Sequence, residues 1–351
     1  MKNQEVIRSI CIIRLSAIGD VCNTLAVVRA IQLHSPNTKI TWIIGKVESS
    51  LVGDIKNIEF IIFDKSKSFS SYKKIYRQLS SRKFDIALLM HASLRANIVA
   101  LLIKTSTRIG YDFQRARDFQ WLLSNKKIQT AGKHVLDTMF KFIEPLGMVS
   151  QRKCWNIPLD KASLAFAKNH CNEKKPTVII SPCSSDRYLN YRNWRVENYQ
   201  IIIKFLIEKY DCQIILSGGD SKNEKFYGKY LTENSNVINL IGKTSLKQLC
   251  AIIDRADLVI CPDSGPAHIA TAFNTSVIGL YASSNPDRTG PYNSLELTVN
   301  CYPEAARKYL SKNIKWGERI RNPQVMELIK IEMVKDKINQ FFKNFRTNYI
   351  L

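Results

Sequence analysis

Residues 261–292 read CPDSGPAHIATAFNTSVIGLYASSNPDRTGPY. Residues 258–261 form a short apolar run of strand type, Asp263, Ser264 and Gly265 a turn, and residues 266–273 a helix. A carboxylate, a hydroxyl and a glycine directly after a buried strand build a nucleotide-binding turn. In open α/β sheets ligands lie outside the carboxyl ends of the strands, where the N–H groups of a helix start attract anions. A second apolar run, 277–280, leads into a polar loop, 282–292, carrying Asn285, Pro286, Gly290 and Pro291. Two consecutive strand ends thus deliver polar loops to one place.

Strand and helix patterns alternate on both sides of this stretch. Short apolar runs at 177–181, 213–217 and 237–240 precede it, with helical patterns at 196–210, 223–232 and 246–254. The first half repeats the theme: strands at 9–15, 39–45, 59–63 and 84–90, helices at 21–34, 72–80 and 92–103. Such alternation predicts parallel sheets covered by helices on both faces. At 351 residues the chain is long for one core. The expected fold class is α/β, with two Rossmann-like domains, residues 1–155 and 175–322, whose parallel sheets face a central cleft. The polar stretch 148–175 reads as the linker. Residues 323–351 read as a helix, 324–342, with a basic tail carrying Lys335, Lys337, Lys343 and Arg346. That segment is expected to pack back on the first domain or to touch a membrane surface.

With 45% hydrophobic and 23% charged residues the composition is that of an ordinary globular protein. No apolar run approaches the roughly 18 residues of a membrane span, and the first twenty residues lack a signal-peptide profile, so a cytoplasmic address is expected. Nine cysteines without a C-x-x-C pair and five scattered histidines give no metal-ligand spacing. Reduced thiols, no structural metal and no cofactor are expected. The net charge of +22, from 52 Lys and Arg against 30 Asp and Glu, favours a polyanion or an anionic surface. No RNP, KH, helix-turn-helix or zinc-finger pattern is present, so nucleic acid is not expected; a phosphate-bearing membrane fits the charge equally well.

Three further strand ends carry polar groups. The first strand runs into Arg14-Leu15-Ser16-Ala17-Ile18-Gly19-Asp20, where Gly19 permits a tight turn and Asp20 serves either as a helix cap or as a functional carboxylate. The second and third glycines of G-x-G-x-x-G are missing, and no G-x-x-x-x-G-K-[ST] occurs. Ser181-Pro182-Cys183-Ser184-Ser185, followed by Tyr191-Arg192-Asn193-Trp194, offers hydroxyls, backbone N–H groups and a guanidinium that suit two phosphates. A solvated turn over a packed Trp194 explains that cluster as well. After Ser217-Gly218-Gly219-Asp220, Glu224 reads either as an acceptor for ribose hydroxyls or as a surface helix acid.

Together these elements resemble the glycosyltransferase family that includes the lipopolysaccharide heptosyltransferases. The resemblance spans nearly the whole chain. It rests on R-L-S-A-I-G-D, on Arg108-Ile109-Gly110-Tyr111-Asp112 with Arg115-Ala116-Arg117, on Arg192-Asn193-Trp194, and on D-S-G-P-A-H with its G-P loop. Trp316-Gly317 and Arg319-Ile320 look most like the heptosyltransferase I branch. The resemblance implies a GT-B fold, an ADP-heptose donor, and inverting transfer to Kdo or phospho-Kdo of the lipid A inner core, by a protein peripherally associated with the cytoplasmic face of the inner membrane.

The resemblance also implies residue roles. Asp20 matches the family's catalytic aspartate, the base that takes the acceptor proton. Arg192 stands where many relatives carry a phosphate-binding lysine and, with Ser184 and Ser185, would hold the diphosphate. Ser264 and Gly265 would add contacts at the helix start, and Asp263 and His268 match donor-side positions, although a turn residue and a packed core histidine are the plainer readings of those two. Glu224 matches the ribose position, and Lys243 and Thr244 would line the adenine pocket. Ser16, Gly19, Arg95, Arg115 and Arg117 would serve the acceptor, though a solvated helix face also accounts for the arginines. The competing readings are, in order, transfer to a core heptose as in the heptosyltransferase II type, a sugar-nucleotide epimerase or hydrolase, and a polyanion-binding protein.

Overall fold

A computed structural model describes residues 7–129, 134–148, 152–233, 236–310 and 317–348. The chain divides into two compact units, Met1–Pro158 and Leu159–Leu351. The first holds β1 (Ser9–Arg14), β2 (Lys39–Gly45), β3 (Ile58–Phe63), β4 (Phe84–Leu88), β5 (Thr105–Gly110) and β6 (Lys126–Lys127), ordered β3-β2-β1-β4-β5-β6. The second holds β7 (Thr177–Ile180), β8 (Gln213–Leu216), β9 (Ile238–Asn239), β10 (Leu258–Pro262), β11 (Ser276–Tyr281) and β12 (Val299–Asn300), ordered β12-β11-β10-β7-β8-β9. Every pairing is parallel.

Counted within each unit, both sheets have the strand order 3-2-1-4-5-6, the Rossmann order, which reverses direction between β1 and β4 and again between β7 and β10. A crevice opens at the carboxyl end of each such reversal. The central strands are apolar along their whole length because helices cover both faces; in β7 and β10 every residue is buried. The outer strand β5 and the edge strands β6 and β12 were not expected from the sequence. β5 is Thr-Ser-Thr-Arg-Ile-Gly with only its last two residues buried, and the other two span two residues each.

Two expectations are corrected. The stretch 148–175 holds a helix, Lys161–His170, whose N-cap Asp160 accepts from the Ser163 N–H at 2.8 Å, and it packs against the helix Leu246–Arg255 of the second unit. The C-terminal helix, Ile331–Asn348, joins the second unit's core instead of packing back on the first domain. Its positions 334, 338, 341 and 342 share one face by helical spacing, and all four are apolar and buried with the residues of β7, β8 and β10. Phe342 stacks on Tyr210 at 4.0 Å between ring centres, and Asn339 Oδ1 accepts from both Lys209 Nζ (2.9 Å) and Tyr210 Oη (2.6 Å). Of the basic residues there, Lys335 pairs with Glu332 and Lys337 donates to the Glu296 carbonyl; the Arg346 side chain lies outside the described residues.

All nine cysteines are free, and burial pushes the thiols of Cys183 and Cys261 up to about 12, so neither is a ready nucleophile. Among the described residues no helix is long and apolar enough to cross a membrane.

Removing the Phe342 ring should cost about 3 kcal/mol, the scale of a buried Phe→Ala change. Urea unfolding of Phe342→Ala should show this loss; a change within about 0.5 kcal/mol, the range of surface substitutions, would place the helix outside the core.

Candidate functional site

In the second unit the loops after β7, β10 and β11 converge on one buried carboxylate. Asp263 follows β10, and its Oδ2 accepts from Arg192 Nη1 at 3.0 Å. The same nitrogen donates to the Asp263 backbone carbonyl at 2.7 Å, while Arg192 Nε donates to Asn190 Oδ1 at 2.6 Å. Arg192 is therefore buried and fixed, not part of a solvated turn. Two of its three nitrogens are engaged, and Nη2 has no hydrogen-bond partner among the described residues. Trp194 is packed beneath the turn, donating its Nε1–H to the Ile329 carbonyl at 3.0 Å.

Arg319 Nη2 lies 3.9 Å from the same Asp263 oxygen. Ser283 and Ile320 set it there by exchanging two hydrogen bonds of 2.8 Å, which strap the segment after residue 317 to the end of β11. Gly317 takes φ 81°, and a Cβ there would meet Arg288 Nε at 2.8 Å, so the glycine makes room for that guanidinium. Burial first, then the charge of Arg192, lowers the pKa of Arg319; Asp263 opposes that shift, and Arg288 and Arg187 add to it. Arg319 thus feels three other guanidinium groups, and it and Arg192 both face the one carboxylate. Burial works against ionisation of Asp263, but Arg192, then Arg319 and His268, with a hydrogen bond from Ser284, outweigh it and hold the carboxyl below its usual range. The excess positive charge suits a multiply charged anion.

The helix Gly265–Phe273 starts beside this array, and Ser264 Oγ donates to the Pro262 carbonyl at 3.1 Å. His268 sits on its first turn, partly exposed and within electrostatic reach of Asp263. Ser184 is buried, and its hydroxyl donates to Asn193 Oδ1 at 2.9 Å while accepting from Asn190 Nδ2 at 2.9 Å, so it orders the loop that presents the exposed Ser185. Glu224 proves to be the third residue of a capping box. It accepts from Ser221 Oγ at 2.6 Å and from the Gly219 N–H at 2.6 Å, fixing the glycine loop after β8. Gly242, at φ 70°, donates its N–H to the Gly218 carbonyl at 3.0 Å and so sets Lys243 and Thr244 beside that loop.

In the first unit the corresponding strand reversal carries a second carboxylate. The N-cap of the helix Ile18–His34 is Ala17, and Asp20, at the helix's third position, reaches back so that its Oδ2 accepts from the Ala17 N–H at 3.5 Å; Gly19 is buried and Ser16 partly exposed in the same turn. The Asp20 carboxylate forms an ion pair with Arg14, whose Nη1 also donates to the Met90 carbonyl, and its side chain is 39% exposed. His91, just past β4, was not singled out in the sequence because it belongs to no motif. Its Nδ1 accepts from the Leu15 N–H at 3.2 Å, which puts the proton of the neutral ring on Nε2. Burial first, then the charge of Arg14, holds its pKa down at about 3 against the pull of Asp20.

The acceptor-side arginines separate. Arg115 is drawn into a partly buried pair with Asp112 at 2.7 Å, whereas Arg95 and Arg117 are exposed on neighbouring segments. Trp316 lies outside the described residues.

The chain matches the family model described as glycosyltransferase family 9 (heptosyltransferase) over residues 72–316. It is 38% identical over 336 residues to the lipopolysaccharide core heptosyltransferase OpsX of Haemophilus influenzae, covering 94% of this chain and 96% of that one. It is 22% identical to a lipopolysaccharide heptosyltransferase 3 of Escherichia coli, covering 76% of this chain and 81% of the other. Among solved structures, a family 9 glycosyl transferase from Veillonella parvula superposes with a TM-score of 0.77 at 20% identity, covering 96% and 97% of the two chains. The E. coli heptosyltransferase WaaC with ADP gives 0.73 at 18% identity, covering 95% and 99%.

With a folded pKa of about 3, His91 should show no titration by NMR between pH 5 and 8. In the unfolded chain the same ring titrates near about 6.5. Its contribution to stability is therefore complete above that pH and falls by about 1.4 kcal/mol per unit as pH drops from there toward 3. His91→Asn keeps an acceptor for the Leu15 N–H and should flatten that part of the curve; an unchanged slope would mean that the ring protonates in the fold.

Proposed function

The chain belongs to glycosyltransferase family 9, the heptosyltransferases, with their α/β GT-B fold, and from that premise we propose that it transfers heptose from ADP-heptose, with inversion, to Kdo or phospho-Kdo of the lipid A inner core in lipopolysaccharide biosynthesis. The observation that carries the donor side is the guanidinium array around Asp263. A diphosphate gains charge as it leaves the sugar, and preorganised donors in a site shielded from water stabilise that charge more than water would. Arg192 Nη2, Arg319 and the N–H groups at the start of the helix Gly265–Phe273 would supply it. In this scheme cationic side chains carry the leaving-group charge, and turnover needs no metal ion. Glu224 and the glycine loop would receive the ribose, with Lys243 and Thr244 beside them.

On the acceptor side Asp20 is the base. Its carboxylate, oriented by Arg14, takes the proton of the acceptor hydroxyl as that oxygen bonds to the anomeric carbon and the bond to the diphosphate breaks, releasing ADP. The proton then passes to solvent, which the partly exposed carboxylate reaches. Arg95 and Arg117 would meet the phosphate or carboxylate groups of the inner core. The excess of 22 positive charges would hold the protein to the anionic cytoplasmic face of the inner membrane as a peripheral protein.

Mass-resolved assay of the purified chain with ADP-heptose and Kdo–lipid A, with and without phosphate on the Kdo, should show an acceptor heavier by one heptose and no change on adding a chelator. Product only on an acceptor that already carries heptose would reassign the acceptor, and donor loss without glycosylated product would indicate a hydrolase or epimerase. Asp20→Ala should lower turnover about 100- to 10,000-fold while donor affinity stays unchanged. Arg319→Gln should weaken ADP-heptose binding roughly 10- to 100-fold, as expected on losing a charged hydrogen bond; unchanged affinity would remove Arg319 from the donor site.

A further inference from the structure

We propose that the face formed by residues 111–122 and the helix Leu94–Leu101 is the surface by which the first unit docks on an anionic bilayer, its apolar side chains entering the headgroup region among lipid phosphates. This rests on the peripheral association proposed above and names where it occurs.

Phe113, Phe119 and Leu122 are 70%, 68% and 64% exposed, and Leu94 and Trp121 are exposed beside them. The rings of Phe113 and Trp121 lie 6.1 Å apart. Helix and loop form one surface: the Leu94 N–H donates to Asp118 Oδ2 at 2.8 Å, and Asn97 Nδ2 donates to the carbonyls of Asp118 (2.6 Å) and Arg117 (3.3 Å). Asp118 and Phe119 both take left-handed backbone, at φ 52° and 64°. That conformation costs energy for residues with a Cβ, most of all for a bulky one. Here it accompanies an outward-facing Phe119 ring, so neither burial nor local backbone preference accounts for the arrangement.

The charges select the occupant. Arg95, Arg117, Lys126 and Lys127 are exposed on or next to the face, whereas Asp112 is neutralised by Arg115 and Asp118 is engaged by the Leu94 N–H. A second copy seated on this face would bring like charges together, which opposes association. Lipid phosphates complement the charges, each basic group near the surface contributing about 1 kcal/mol. Aromatic rings with an apolar body and a polar edge are suited to that boundary.

Flotation of the full chain with phosphatidylcholine vesicles, with and without phosphatidylglycerol, tests this. Wild type should float with the anionic vesicles only, less so at high salt. The double variant Phe119→Ser, Leu122→Ser should bind roughly tenfold more weakly, with circular dichroism and ADP-heptose affinity unchanged, while Phe226→Ser, an exposed ring of the second unit, should float like wild type. Brominated lipid should quench wild type more than Trp121→Tyr, a readout that does not depend on the double variant. Equal flotation of double variant and wild type, or equal quenching, overturns the face. Failure of wild type to float overturns the peripheral association and the face with it. A change of oligomeric state in the double variant with flotation unaltered assigns the face to a second copy. Flotation as expected from a chain that fails to glycosylate any Kdo acceptor would leave this inference standing and overturn the acceptor reading.

Discussion

The second unit is organised around a buried charge that must be neutralised where it sits. Asp263 lies at the end of β10, and the guanidinium that answers it reaches over from the loop after β7, the neighbouring strand across the reversal of the sheet. Removing one member of a buried ion pair typically costs about 3–5 kcal/mol, because the other is left uncompensated away from water. The pair therefore fastens two loops that no strand pairing joins. The Asn190–Ser184–Asn193 hydrogen bonds and the strap between Ser283 and Ile320 extend the same fastening to either side. One carboxylate facing two guanidiniums is electrically incomplete, and this incompleteness suits the place to an anion as well as to a structural joint.

The two sheets have the same strand order but opposite electrostatic settings at their reversals. In the second unit the carboxylate is buried and held ionised by its neighbours. In the first, Asp20 pairs with Arg14 and remains partly open to water, while the histidine beside it is kept neutral by burial. The same backbone frame thus yields one carboxylate locked among cations and another that solvent reaches. The difference lies in how far each side chain is withdrawn from solvent.

The central strands and the turns that end them could be read from the sequence, because a strand covered on both faces must be apolar throughout and the polar residues that follow then stand out. This gave β1, β2, β7, β8, β10 and β11, and with them Asp20, Arg192 and Asp263. What escaped was whatever lacked that contrast. β5 is too polar to be recognised, and β6 and β12 are too short. The gathering of Arg187, Arg192 and Arg288 within electrostatic reach of Arg319 depends on long side chains meeting from distant segments, which spacing along the chain does not encode. Glu224 was legible as a capping-box residue, three positions after Ser221, yet was weighed only as a ligand or a surface acid. The apolar stripe of the last helix could be seen, but a stripe does not name the core it enters.

That stripe also bears on how the protein is made. The second sheet begins at residue 177, but its core is completed only by Val334, Ile338, Phe341 and Phe342. Domains generally fold as units, in order from the amino terminus during synthesis. The first unit can close while the ribosome is still translating the second. The second must wait, with β7, β8 and β10 already exposed and one side of their core uncovered, until residue 342 has emerged from the exit tunnel. In that interval apolar strand surface stands uncovered, the condition in which chains in general are prone to aggregate.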